Sequence, residues 1–290
     1  MPSDVQITCD AATDLHMHTI HSDGHWTPDA LFAYLAAEQF RVVAVTDHDT
    51  FAHIEEVRSL GEARGITVLA GVEVTSRWRE MIAHVLCYAR RFRGDALGAL
   101  VEQTRLGQLE NTQEVYAELE RRGYQFPRRD KVLAVQNGRL LRPIDNARLL
   151  IEHGYVADVP AALDVLRDAG YRIIAAPIAQ TFAAAHADGA VTVLAHPGRG
   201  GGEIQRYEPA TIEAMLAELP AGLDGIEVSY PLHTNEQVDA YRTLAARHGL
   251  LVSAGSDSHG PRQRFPIAYH AEQCSELLAR CGITVNQRQS

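Results

Sequence analysis

Between Asp14 and Gly24 the chain reads D-L-H-M-H-T-I-H-S-D-G, which places three histidines and two aspartates within eleven residues. Imidazole and carboxylate are the nitrogen and oxygen donors that divalent cations take when no thiolate is offered. His16 and His18 are two apart, so on an extended strand both side chains point to one side and can share a cation. Comparable residues recur downstream: Asp47 and His48, Glu73, His84, His196, and the pair Asp257 and His259, again two apart. Any one of them could be a hydrogen-bonded core residue, a helix cap or a turn former. Together they need a common reason, because buried charges and imidazoles cost several kcal/mol unless paired or metal-bound. Nine donors exceed the needs of one ion, and a carboxylate such as Glu73 can bridge two. Closely spaced ions suit hydrolysis of a phosphoester or an amide by a metal-activated hydroxide.

The elements that would carry these residues are short apolar runs: 13–18, 42–47, 68–73, 82–87, 191–196, 225–229 and 250–257. Runs of this length without strict alternation suit strands buried on both faces of a parallel sheet. Helical patterns over 28–39, 53–64, 209–218 and 235–248 separate several of them, the first opened by Thr27 and Pro28 as cap and first-turn residue. The alternation predicts an α/β fold, and seven strands predict a distorted (β/α)7 barrel. Reactive groups of such barrels gather where the strands end. His16 and His18 end the first strand, with Asp23 in the next loop. Asp47 and His48 end the second, Glu73 the third, His196 the fifth, and Asp257 and His259 the seventh. His84 alone lies within its run.

Residues 96–181 break this rhythm and read as a mostly helical insertion between barrel parts 1–95 and 182–290, with helices over about 97–122, 146–153 and 161–169. The 290 residues carry 27 basic and 37 acidic side chains, a net charge of −10. That balance argues against a protein that coats nucleic acid and against stable binding of duplexes. The charge is uneven. From Arg121 to Arg148 there are eight basic residues and two acidic ones, so this stretch is +6 and the remainder −16. No run approaches the roughly 18 apolar residues of a membrane span. The opening M-P-S-D-V-Q has none of the features of a secretory leader. Cys9, Cys87, Cys274 and Cys281 show no metal-binding spacing, and a reducing, cytoplasmic setting is expected.

The motifs D14-L-H-M-H-T, T46-D-H-D49, G71-V-E73, A195-H-P-G-R199 and G255-S-D-S-H-G260 resemble, in order, those of the PHP (polymerase and histidinol phosphatase) family of metallophosphoesterases, relatives of the amidohydrolases. The likeness runs from Asp14 to Gly260 and is interrupted by the insertion. Within it, R142-P-I-D-N-A-R-L-L-I-E-H-G-Y155 is similar to the insert of stand-alone nucleoside 3′,5′-bisphosphate phosphatases and 5′→3′ exonucleases of short RNA. The resemblance implies a trinuclear site. His16, His18, Glu73 and Asp257 would hold one ion, and Glu73 would bridge to a second held by His84 and His196. Asp23, His48 and His259 would hold a third. Glu73, Asp257 and His196 would carry the catalysis. Asp14 and Asp47 would orient imidazoles, while His21 and His25 stay without a role. Two to three divalent ions are expected, with manganese first and zinc or iron as alternatives.

The leading expectation is removal of the 3′-phosphate from a nucleoside 3′,5′-bisphosphate. Arg142, Arg148 and Arg199 are then candidates for the second phosphate and the nucleoside, since guanidinium forks match phosphate oxygens. A 5′→3′ exonuclease acting on short RNA or DNA could use the same ions. Histidinol-phosphate hydrolysis gives no reason for so basic an insertion. An inactive, metal-bound regulatory module would be expected to have lost members of the donor set. Amide hydrolysis fits the motif contexts less well.

Overall fold

A computed structural model describes residues 5–134, 138–201 and 205–287. Residues 135–137 of the basic stretch and the opening residues 1–4 lie outside the described residues. In chain order the elements are β1 (Val5–Thr8), β2 (Ala12–Asp14), α1 (Pro28–Ala37), β3 (Val42–Val45), α2 (Ile54–Glu62), β4 (Thr67–Trp78), β5 (Met81–Ala89), α3 (Ala96–Arg121), α4 (Arg129–Val132), α5 (Pro143–Glu152), α6 (Val159–Asp168), β6 (Ala176–Pro177), α7 (Ile178–Ala187), β7 (Val191–Leu194), α8 (Pro209–Glu218), β8 (Gly225–Ser229), α9 (Asn235–His248), β9 (Leu251–Ala254), β10 (Tyr269–His270), α10 (Ser275–Arg280) and β11 (Ile283–Asn286). The chain divides into two compact units, one of residues 1–101 with 175–290 and the other of residues 102–174. Both boundaries fall inside the 96–181 span expected for the insertion.

In the first unit the strand order is β10-β2-β3-β4-β5-β7-β8-β9. The row turns back on itself beyond β9. Leu15 N donates to Ala254 O (3.1 Å), Asp257 N to His16 O (2.8 Å) and His18 N to Ser258 O (2.8 Å), with a parallel bridge between Met17 and Ser258. The result is a nearly closed seven-stranded barrel of β2, β3, β4, β5, β7, β8 and β9.

One strand departs from the parallel expectation. β4 and β5 form an antiparallel hairpin with Trp78 paired to Met81, and β5 is antiparallel to β7 as well. Two residues separate these strands, too few for a helical crossover. The reversal explains the odd position of His84. In a strand that runs backwards, the early residues lie where the other strands end, so His84 pairs with Thr75, two residues beyond Glu73.

Period-two alternation assigns the core. Val42 and Ala44 of β3 join a cluster that includes Leu15, Leu69, Leu86, Tyr88, Val191, Val193 and Leu251 from five other barrel strands or their extensions. Val43 and Val45 face the opposite way, onto Leu31, Phe32 and Leu35 of α1 and Val57 of α2. Glu73 continues the row of Leu69, and His84 that of Leu86 and Tyr88, so the chemistry-bearing residues cap the same face that fills the barrel. Helix ends match the sequence cues. Thr27 accepts from Ala30 N at α1, Thr234 and Gln237 cap α9 reciprocally, and Gly249 ends α9 at φ 64°.

The second unit holds most of α3 together with α4, α5 and α6, around its own core of Val115, Leu119, Leu149, Leu150 and Leu166. Among the described residues no helix is long and apolar enough to cross a membrane.

Tyr88, fully buried, donates its hydroxyl to Leu15 O at 2.7 Å, which ties β5 across the barrel to the segment bearing His16. Tyr88→Phe leaves that carbonyl without a donor and should lower unfolding free energy by about 1–3 kcal/mol in a urea titration with unchanged slope. An unchanged midpoint would show that the bond contributes nothing to closure.

Candidate metal centre

Glu73 is fully buried and its carboxylate is ringed by imidazoles. His16 Nε2 and His18 Nε2 lie 2.9 and 3.1 Å from Oε2, and His48 Nε2 lies 3.4 Å from it. His84 Nδ1 and His196 Nε2 lie 3.0 and 3.1 Å from Oε1. Asp257 Oδ1 lies 3.3 Å from His18 Nε2, and Asp23 Oδ1 lies 3.2 Å from His259 Nε2. All nine residues singled out in the sequence are therefore brought together. Their donor atoms form three overlapping groups: His16, His18, Glu73 and Asp257; His48, Glu73 and His84; and His18, Asp23, His48 and His259. His196 falls outside these groups but touches Glu73. The set opens progressively: Glu73 is 0% exposed, the side chain of His48 22% and that of Asp23 34%.

The contacts of its imidazoles suit the donor set to divalent cations. His16 Nδ1 lies 2.9 Å from Glu227 Oε1, and His259 Nδ1 lies 3.0 Å from Asp257 O. Each ring thus spends its one N–H of the neutral form on an acceptor, and its Nε2 lone pair is left facing carboxylate oxygens. Lone pairs aimed at one another require a cation or a proton between them. Both ring nitrogens of His18, Nδ1 of His48 and of His84, and Oδ1 of Asp257 are buried without a hydrogen bond, a state that ion binding relieves.

Glu227 is the residue that sequence reading missed. It sits fully buried on β8, holds His16 through Oε1 and accepts from His196 N at 2.7 Å through Oε2. The available signal was a glutamate inside the apolar run Gly225-Ile-Glu-Val. The aspartates expected to orient imidazoles bond chiefly to backbone N–H groups in the case of Asp14 and to hydroxyls and one N–H in the case of Asp47. Asp14 accepts from the backbone N–H groups of His16 (3.2 Å), Ser256 (3.0 Å) and Ile267 (2.9 Å). Burial nevertheless pushes its carboxyl up to about 6. Asp47 accepts from Thr19 N and Oγ1 and from Ser22 Oγ. The imidazole it faces is that of His53, 3.5 Å away, not one of the nine. His21 bonds to Glu56 at 2.8 Å and His25 to His259 O at 3.3 Å, both at the surface.

Backbone strain concentrates here. His196 (φ 28°), Asp257 (φ 54°) and Asp49 (φ 47°) take positive φ without being glycine. Close approach also demands Gly255, where a Cβ would stand 2.3 Å from His16 Cβ and 2.5 Å from Glu227 Oε1. Arg199 Nη1 lies 3.0 Å from Asp257 Oδ2, which also accepts from Tyr230 Oη at 3.2 Å. In the second unit Arg142 precedes α5 and contacts Asp145 (3.2 Å), while Arg148 lies on α5.

An oxygen- and nitrogen-lined cluster on a seven-stranded barrel defines a metal-dependent phosphoesterase, a class that the comparisons establish. The PHP domain family matches residues 14–184, and the chain belongs to it. It is 30% identical to a 3′,5′-nucleoside bisphosphate phosphatase of Chromobacterium violaceum over 90% of this chain and 92% of that one. It is also 30% identical to a phosphoribosyl 1,2-cyclic phosphate 1,2-diphosphodiesterase of Eggerthella lenta, over 87% and 96%. A 5′-3′ exoribonuclease of Haemophilus influenzae is 27% identical over 86% and 90%. The crystal structure of a protein from Bifidobacterium adolescentis, provisionally named a metal-dependent phosphoesterase, superposes with a TM-score of 0.78 at 26% identity, over 95% of this chain and 97% of that one. The protein is a hydrolase with clusters able to bind metal.

Glu73→Gln should leave the fold intact, lower the bound metal per chain and reduce turnover by more than the roughly 100-fold typical of an outer partner. Metal analysis and a rate measured on one sample decide it, and wild-type values of both would remove Glu73 from the centre. A second expectation follows from His18. Burial disfavours its charged form, but Asp257, Glu73 and Asp23 outweigh that and raise its pKa to about 10 in the metal-free protein. At neutral pH the ring then holds a proton that an incoming cation must displace. Metal affinity should rise with pH up to that value and fall steadily on acidification. Titrating manganese into metal-free protein at pH 7 in two buffers of different ionisation enthalpy should show proton release; equal heats in both would contradict it.

Proposed function

We propose that this hydrolase removes the 3′-phosphate from nucleoside 3′,5′-bisphosphates, yielding a nucleoside 5′-monophosphate and inorganic phosphate. The observation that carries the reading is the 30% identity to a phosphatase of that specificity along nearly the whole of both chains. In this reading His16, His18, Glu73 and Asp257 hold one ion, Glu73 with His84 and His196 a second, and Asp23, His48 and His259 a third. Manganese suits a donor set of imidazoles and carboxylates without thiolate. Divalent ions, when bound, neutralise phosphoryl oxygens and make water a competent nucleophile near neutral pH. Glu73, Asp257 and His196 are the residues assigned to catalysis through this centre, and Glu227 keeps His16 in the ligating tautomer. The phosphoryl group enters from the side of Asp23 and His48, the most accessible members of the set. Arg199, anchored to Asp257, offers its remaining N–H groups to a phosphate. Arg142 and Arg148 are assigned to the second phosphate and the nucleoside, which makes residues 96–181 the substrate-binding part between barrel parts 1–95 and 182–290. The four free, buried cysteines suit a reducing cytoplasm.

The similarity to exoribonucleases favours one other reading, 5′→3′ cleavage of short RNA. The two differ in how many phosphates are gripped. An exonuclease neutralises several along a single strand, so its binding weakens with salt at a slope of about −0.7 per contact. Under the proposed reading Arg148→Ala should raise KM for a bisphosphate by roughly ten- to a hundredfold, the effect of losing a charge-assisted bond of about 1.5–3 kcal/mol. Substrates lacking the second phosphate should be spared. Equal loss on both substrates, or none on either, would remove Arg148 from the site. Faster release from 5′-phosphorylated oligonucleotides with a steep salt slope would transfer the assignment to the exonuclease.

A further inference from the structure

The barrel end remote from Glu73, where β4 begins at Thr67 and β5 finishes at Ala89, holds a cavity of about 740 Å³. Five arginines line it: Arg58 on α2, Arg90, Arg91 and Arg93 in the segment after β5, and Arg280 at the end of α10. One carboxylate, Glu62, shares the lining. Thr67 and Glu73 are six residues apart on β4, so this cavity lies about 20 Å from the metal centre.

The charge state of this lining is unusual for the chain. Acidic residues outnumber basic ones by ten, and several surface arginines elsewhere are closely paired: Arg105 with Glu102, Arg121 with Glu118, Arg79 with Glu218 and Arg247 with Glu213, each at 2.6–2.7 Å. Among the described residues no hydrogen bond or ion pair engages the guanidinium of Arg90, Arg91, Arg93 or Arg280. Arg58 has a mostly buried side chain and only a 3.6 Å contact to the exposed Glu55. Burial and the like charges of Arg58 and Arg91 shift Arg90 toward its neutral form, and the one carboxylate of the lining, Glu62, offsets this only in part. A guanidinium does not relieve such crowding by losing its proton; it takes up an anion.

We propose that this cavity is a second anion-binding site, for a small molecule bearing two or more phosphate groups. Five guanidiniums from three chain segments exceed what one phosphate can engage, and the volume suits a nucleotide-sized ligand. The concave shape and the chain's net negative charge disfavour a long polyanion. The site shares no residue with the metal centre and does not depend on the reading of its substrate.

The test is a calorimetric titration of pyrophosphate into the full-length protein at low ionic strength, with its metal ions and after their removal by chelator. The expected result is a binding event that survives metal removal and is at least tenfold tighter than that of orthophosphate. Arg91→Gln with Arg280→Gln, both exposed positions, should weaken it by roughly a hundredfold while melting temperature, kcat and KM for phosphate release hold. Arg58→Gln serves as an independent variant. Absence of a metal-independent event would overturn the proposal, as would an event unchanged in both variants. Joint loss of pyrophosphate binding and turnover in a stably folded variant would place the anion at the metal centre instead and so overturn it. Silence toward pyrophosphate with arginine-dependent, length-dependent binding of a single-stranded oligonucleotide would overturn it in favour of a nucleic-acid surface.

Discussion

A carboxylate removed entirely from water must find positive charge, and at Glu73 five imidazoles supply the surroundings but, unless protonated, not the charge. Two oxygens have about four lone-pair positions, while ring nitrogens of His16, His18, His48, His84 and His196 all approach within 3.4 Å. Protonating every ring would crowd five cations together, and leaving every ring neutral sets lone pairs against lone pairs. Burial of the isolated ion would cost several kcal/mol. Cations between the donors satisfy both sides at once. Much of the first unit can be read as the means of holding this otherwise unfavourable cluster in place.

The means are largely buried carboxylates that do not themselves face the cluster's interior. Glu227 fixes the ring of His16 and the amide of His196. Asp14 gathers three amides, from the segment just after β2, the segment just after β9 and the segment before β10. Asp47 pins the loop after His18 through Thr19 and Ser22. Each consumes several donors, which lets a charge remain buried and makes the loops rigid. The left-handed φ values at His196 and Asp257 are held within this framework. Such strain persists only where the surroundings over-determine the backbone.

Most of this was legible in the sequence because metal ligation imposes residue types that core packing does not. Strands could be recognised as apolar runs, and their ends by the donors that follow. Period two predicts the shared side of His16 and His18, and both reach Glu73. Two features were not legible. The direction of β5 depends on the tight turn between Trp78 and Met81, and an apolar run reads alike in either direction; His84, misplaced within its run, was the residue that signalled it. The work of Glu227 depends on pairing between β7 and β8, a long-range fact that a lone glutamate in a strand does not announce. The same limit applies to Asp14 and Asp47, whose types suggested partners among the nine donors while tertiary structure gave Asp14 three amides and Asp47 an amide, two hydroxyls and the imidazole of His53.

The hairpin has a consequence for how the barrel's two ends relate. A helical crossover after β4 would have returned the chain to the opposite end before the next strand began. The two-residue turn instead sends it straight back, so β4 and β5 each run the barrel's length in one pass. β4 begins beside the arginine-lined cavity and reaches the centre at Glu73. β5 leaves the centre at His84 and ends in the segment that supplies Arg90, Arg91 and Arg93. Nine consecutive residue pairs, from Ala70–Ala89 to Trp78–Met81, join the two strands. A pair hydrogen-bonded over that length resists local shear, because moving one strand breaks a ladder rather than a single bond. The two concentrations of charge therefore sit at opposite ends of one stiff ladder, about 20 Å apart along β4. That separation keeps the arginines that line the cavity from pairing with the carboxylates of the centre.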